Sequence, residues 1–115
     1  MHMQRIVIVA MLSLLLQAGD RSLRIEFPNG GEVLKCGSQI GVQWRSQGIE
    51  GNLAILLFKG SEQHAVIAAS VPDSGFFQWT VPANLPEGGQ YRLRICSLRD
   101  LRLNDFSDRD FAIRN

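Results

Sequence analysis

After residue 20 the chain repeats one pattern at short intervals. Leu23, Ile25 and Phe27 alternate with Arg24 and Glu26 and stop at Pro28-Asn29-Gly30-Gly31. Ile40, Val42 and Trp44 alternate with Gly41, Gln43 and Arg45 and stop near Gly48. Residues 53–58 are almost continuously apolar up to Lys59-Gly60, and residues 64–71 form a weaker run before Pro72-Asp73-Ser74-Gly75. Phe77, Trp79 and Val81 alternate up to Pro82; Tyr91, Leu93 and Ile95 alternate with Arg92 and Arg94; Phe111 and Ile113 close the series. A period of two marks strands buried on one side, and helical periodicity is hard to find after residue 20. About seven short strands separated by turn residues predict an all-β protein, an antiparallel β-sandwich with a small closed barrel as the alternative. The expected core rows are Ile40/Val42/Trp44, Leu53/Ile55/Leu57, Phe77/Trp79/Val81 and Tyr91/Leu93/Ile95. Residues 97–106, SLRDLRLNDF, lack strand patterning. Leu98, Leu101 and Leu103 are expected to pack back on the sandwich, with room for a short helical turn.

The first twenty residues follow another rule. Arg5 precedes residues 6–16, IVIVAMLSLLL, which carry no charge, and a small, polar stretch follows. This is the layout of a secretory signal peptide, expected over residues 1–18, with a single domain over 19–115. The alternatives are a buried strand or an anchor helix. The run is short for a bilayer span, which takes about 20 apolar residues, and no second run follows, so no membrane span is expected in the mature chain. The implied location is secreted, extracellular or cell-envelope, the periplasm in a Gram-negative cell.

Composition adds limits. The chain has 115 residues, 45% hydrophobic and 20% charged, which excludes a multidomain enzyme, a coiled coil and a disordered tail. Losing Arg5 with the leader reduces the 12 basic residues to 11 against 11 acidic, so the mature domain is formally neutral and nucleic acid is not an expected partner.

Three strings then form a recognisable order. Pro28-Asn29-Gly30-Gly31-Glu32 leads to Gly37 and Ile40-x-Val42-x-Trp44. Ser70-Val71-Pro72-Asp73-Ser74-Gly75 leads to Phe77-x-Trp79-x-Val81-Pro82. Gly89-x-Tyr91-x-Leu93-x-Ile95 leads to Asp105-x-Ser107-Asp108 and Phe111-x-Ile113. Together they resemble the Kre9/Knh-type domain of the Ser-Thr-rich GPI-anchored membrane family, over nearly the whole mature chain. The resemblance implies an immunoglobulin- or fibronectin-III-like sandwich on secreted or surface proteins, usually non-catalytic and sometimes linked to cell-wall glucan assembly. In that fold Trp44 and Trp79 fill the space between the sheets, and Tyr91 suits a tyrosine corner.

Candidate chemistry is sparse. Cys36 and Cys96 are candidates for a disulfide in an oxidising compartment. In an immunoglobulin-like trace, however, they fall near opposite ends of two strands that run the same way, which favours separate thiols. His64, the one mature histidine, has no nucleophile motif beside it and reads as an edge-strand residue. Asp100, Asp105, Asp108 and Asp110 would serve acid–base chemistry or Ca²⁺, but Arg99, Arg102 and Arg109 interleave with them, so turn-forming, salt-bridged aspartates are the preferred reading. No cofactor, metal or catalytic residue is expected. If Leu57 and Leu93 point inward, Leu56 and Phe58 face outward beside Arg92 and Arg94 on the neighbouring strand, with Arg114 nearby. These five are the candidate contacts for a cell-envelope protein or polysaccharide, unless the 97–106 segment covers Leu56 and Phe58. The alternative function is a small secreted protease inhibitor that presents loops 28–32, 72–76 or 98–104.

Overall fold

A computed structural model describes residues 20–115; the expected leader, 1–18, lies outside the described residues. The chain forms β1 (Ser22–Phe27), β2 (Val33–Lys35), β3 (Gln39–Gln47), β4 (Leu53–Lys59) and β5 (Glu62–Val71). It continues with β6 (Phe76–Thr80), β7 (Gly88–Ser97), β8 (Asn104–Phe106) and β9 (Phe111–Arg114). These make two sheets, one ordered β1-β3-β6 and the other β2-β9-β7-β4-β5, with β8 also on β7. The sandwich reading holds, and the sheets do not close into a barrel.

The seven patterned segments are all strands. Two short strands, β2 and β8, add to them. β8 pairs with Arg94, Ile95 and Cys96, while β9 pairs with Gly88 and Tyr91 of the same long β7. One edge of β7 is thus served by two short strands in succession. β2 runs parallel to β9, the departure from the antiparallel expectation. A three-residue strand can do this because the chain then crosses to the other sheet through Cys36-Gly37-Ser38. Gly37 N donates to Val81 O at 2.7 Å, and Val81 N donates to Ser38 O at 2.8 Å.

The core follows the alternation. Val42, Trp44, Trp79 and Val81 face Leu53, Ile55, Leu57, Tyr91, Leu93, Ile95, Phe111 and Ile113, all buried. Ile40 and Phe77 are only partly buried at its margin. Burying each large aliphatic or aromatic side chain contributes roughly 1.5–3 kcal/mol against the entropy of ordering the chain. The 97–106 segment departs from expectation. It ends in a strand instead of a helical turn, and only Leu103 is half-buried, whereas Leu98 and Leu101 stand exposed. Backbone pairing with β7, and not leucine burial, holds this segment down.

The three strings of the family resemblance turn out to be ties between elements. Glu32 accepts from the backbone N–H groups of Asn29 and Gly30 at 2.8 and 2.6 Å, closing the 28–32 turn. Asn29 and Asp108 then exchange two bonds: Asn29 Nδ2 donates to Asp108 Oδ2, and Asp108 N donates to Asn29 Oδ1. Buried Ser107 donates to Pro28 O at 2.9 Å and accepts from Leu93 N at 3.0 Å. Asp105 accepts from Ile25 N at 2.8 Å and so links the two sheets. In the middle string, Asp73 accepts Trp44 Nε1 at 2.8 Å and Ser46 Oγ at 2.6 Å. Gly75, at φ +83°, lets its carbonyl receive Trp44 N, and a Cβ there would crowd Trp44 O. Tyr91 donates its hydroxyl to Pro86 O, the tyrosine corner expected from the sequence.

Candidate interaction face

Antiparallel register decides which outward side chains meet. Leu56 lies opposite Val66 on one side and Arg94 on the other, and Arg94 lies opposite Phe106. One row therefore crosses four strands: Val66, Leu56, Arg94, Phe106. In the next row Phe58 lies opposite Arg92. The two rows are stitched together by Phe106, whose ring meets Phe58 edge-on at 5.0 Å between centroids. The Arg94 guanidinium lies 5.6 Å from the same ring, and its Nε donates to Asn104 Oδ1 at 3.2 Å. Phe106 is thus held between an aromatic edge and a cation, both favourable to a ring quadrupole. Arg92 pairs with Asp110 at 2.8 Å in a half-exposed bridge that orients the side chain more than it stabilises the fold.

Of the five contacts expected from the sequence, Leu56, Phe58, Arg92 and Arg94 come together as adjacent cross-strand neighbours. Arg114 does not join them. It lies four residues beyond Asp110 on β9, about 13 Å along the strand, opposite Lys35 of β2. Sequence reasoning missed Val66, 54% exposed, and Phe106, 38% exposed. Val66 lies in the weak apolar run of residues 64–71, where no alternation marks which side chains face outward. Phe106 sits in a three-residue strand with no period to read. The 97–106 segment does not bury the patch; it adds Phe106 to it and leaves Leu56 and Phe58 half-buried.

The other candidates disperse. His64 is exposed on the edge strand β5, its ring 6.3 Å from Tyr91. The four aspartates face four different partners: Asp100 the guanidinium of Arg102, Asp105 the backbone of β1, Asp108 the amide of Asn29, Asp110 the side chain of Arg92. Arg102 holds the Asp100 carboxyl below its ordinary range, through its side-chain hydrogen bond first and its backbone N–H second. Asp100 also lines an open polar groove of about 640 Å³ with Arg21, Glu50, Arg99 and Arg102. No group of three or more His, Cys, Asp or Glu side chains is disposed to hold a metal ion among the described residues. Of the three loops an inhibitor would present, 28–32 and 72–76 are laced into the body by the bonds described above, and 98–104 carries the exposed Leu98 and Leu101. Cys36 and Cys96 are free thiols: Cys36 Sγ faces Leu85 O at 3.8 Å, and Cys96 is 3% exposed. Among the described residues no helix is long and apolar enough to cross a membrane.

Two sheets of three and five main strands, buried tryptophans and a tyrosine corner define an immunoglobulin-like β-sandwich. The Kre9/KNH-like N-terminal Ig-like domain matches residues 27–109, and the chain belongs to this family, which is associated with the cell wall. No curated protein and no solved structure matches the chain.

Proposed function

We propose that the protein is a secreted, non-catalytic binding module of the cell envelope, which docks a protein or polysaccharide on the outer face of its larger sheet. The observation that carries this reading is the cluster of Phe58, Phe106, Arg94 and Leu56, with Val66 beside it. Aromatic and arginine side chains in contact with each other, partly exposed and uncovered by any other element among the described residues, are the composition of a binding hot spot. Membership in a cell-wall-associated family supports the location. Catalysis has no comparable support, because His64 and the aspartates are spread over separate partners.

The test is a pull-down from envelope extract with the mature protein. Phe58→Ala and Arg94→Glu are expected to weaken capture of the partner by about tenfold or more, with the unfolding midpoint little changed. Recovery of neither protein nor glycan by the unsubstituted chain would overturn the reading.

A further inference from the structure

Among the described residues the smaller sheet has its own uncovered face, and its chemistry differs. On β3 the outward positions are Gln39, Gly41, Gln43, Arg45 and Gln47; on β6 they are Phe76, Gln78 and Thr80. Register places Gln43 opposite Phe76, Gly41 opposite Gln78 and Gln39 opposite Thr80. No ionisable side chain occurs among these six. The charges of the face lie toward β1, where Arg45 is opposite Arg24 and pairs with Glu26 at 3.0 Å.

Phe76 is 53% exposed, yet it is not loose. Its ring lies over Gly41: a Cβ at position 41 would collide with Phe76 Cε2 and come within 3.1 Å of Cζ and 3.4 Å of Cδ2. Three atoms of one ring close to a single backbone position mean that the ring lies across the sheet instead of standing off it. Covering a strand glycine in this way is a known device of sheet construction. Here it also leaves one aromatic face directed at solvent. Gln78 Nε2 donates to Gln39 Oε1 at 2.7 Å, which orients both amides. That bond uses one of the two amide protons of Gln78 and leaves its carbonyl and the Gln39 amide group available.

We infer that this face is a platform for a neutral polysaccharide. A pyranose ring offers a face of C–H groups that packs on an aromatic ring, and hydroxyls that both donate and accept. A glutamine amide matches those hydroxyls with donor and acceptor in one side chain. The absence of charge across the six positions excludes a need for an acidic or basic ligand. A protein partner fits less well, since interface cores gather several apolar anchors and this half-face has Phe76 alone. The three rows span about 14 Å along the strands, enough for a short run of sugar units. The platform lies on the opposite sheet from the Phe58 cluster and stands independently of the function proposed for that cluster.

The experiment is native affinity electrophoresis and calorimetry of the mature chain with amylose, a soluble β-1,3-glucan and a galactomannan. Polygalacturonate serves as the acidic comparison. At least one neutral polymer is expected to retard the protein. Phe76→Ala is expected to weaken that binding about tenfold or more, Gln43→Ala severalfold, and Phe76→Trp to retain it. Ser61→Ala, at the exposed turn between β4 and β5, is expected to leave it unchanged. Thermal unfolding of each variant checks the fold; Gln43→Ala, at an exposed site, gives a reading even if Phe76→Ala is unstable. Retention by no neutral polymer, retention by polygalacturonate alone, or binding that survives both Phe76→Ala and Gln43→Ala would overturn the inference.

Discussion

Tyr91 is the only tyrosine of the chain, and it is fully buried. Its ring stacks near Phe111 at 6.2 Å, the Lys59 ammonium lies 5.7 Å above it, and its hydroxyl is committed to Pro86 O. Burial pushes its pKa above the ordinary 10.0, with the nearby Cys36 charge as the second cause. The native state therefore holds this proton more tightly than the unfolded chain does. The stability it contributes is complete below pH 10 and falls as pH rises from there through the higher native value. Urea unfolding between pH 7 and 11 is expected to show that decline, and tyrosinate absorbance will report this one residue. Tyr91→Phe is expected to lose about 1 kcal/mol at pH 7, the net value of the hydroxyl bond, and to lose less further stability above pH 10 than the unsubstituted protein. An equal alkaline decline in both proteins would assign it to other groups. This residue was legible in the sequence, because a tyrosine following Gly88-Gly89 at the head of an alternating strand has few other roles.

The elements are joined by polar ties as much as by core contact, and Ser107 is the clearest of these. It is 1% exposed between β8 and β9, and its hydroxyl serves the Pro28 carbonyl and the Leu93 N–H together. Ser107→Ala leaves two buried backbone groups without that partner, at about 1–3 kcal/mol each. The expected loss in urea unfolding is about 2–4 kcal/mol, or roughly 10 °C or more in Tm for a domain of this size. Ser61→Ala, at an exposed turn, is expected to change stability by less than about 0.5 kcal/mol. Equal effects of the two would mean that water satisfies the vacated groups. These ties also explain what could be read beforehand. The seven strands of four to ten residues were visible because each carries a readable row of apolar side chains, alternating in five of them and nearly continuous in β4 and β5. β2 and β8 have three residues each, too few to show a period, and they exist because β9 and β7 offer them unpaired backbone. The Leu56–Phe58–Arg92–Arg94 patch was legible because alternation and strand adjacency suffice to place it. Phe106 was not, because its position depends on β8. Phe76 was not read as a surface residue because Phe77, Trp79 and Val81 carry the inward signal, and only the register with Gly41 shows what its neighbour does.

At the scale of the whole domain, the two cysteines measure how the sandwich is held. Cys36 N donates to Arg114 O, and Arg114 follows Ile113, which lies opposite Gly88 at the start of β7. Cys96 is eight residues further along β7, about 26 Å at ~3.3 Å per residue. A disulfide needs Cα atoms within about 7 Å, so bridging the pair would require dismantling the fold. A cross-link over so long a loop would otherwise add about 4 kcal/mol; here the buried rows of both sheets and their polar ties must hold the domain without it. Exported, unreduced protein unfolded in denaturant is therefore expected to titrate two thiols per chain. In the native state Cys36, half-buried beside the Leu85 carbonyl, is expected to react slowly with a small thiol reagent, while Cys96 reacts only on unfolding. Adding reductant should leave the unfolding midpoint where it was. A drop in that midpoint, together with the absence of titratable thiol, would show a bridge and require the turn at Cys36 to sit at the other end of the sandwich.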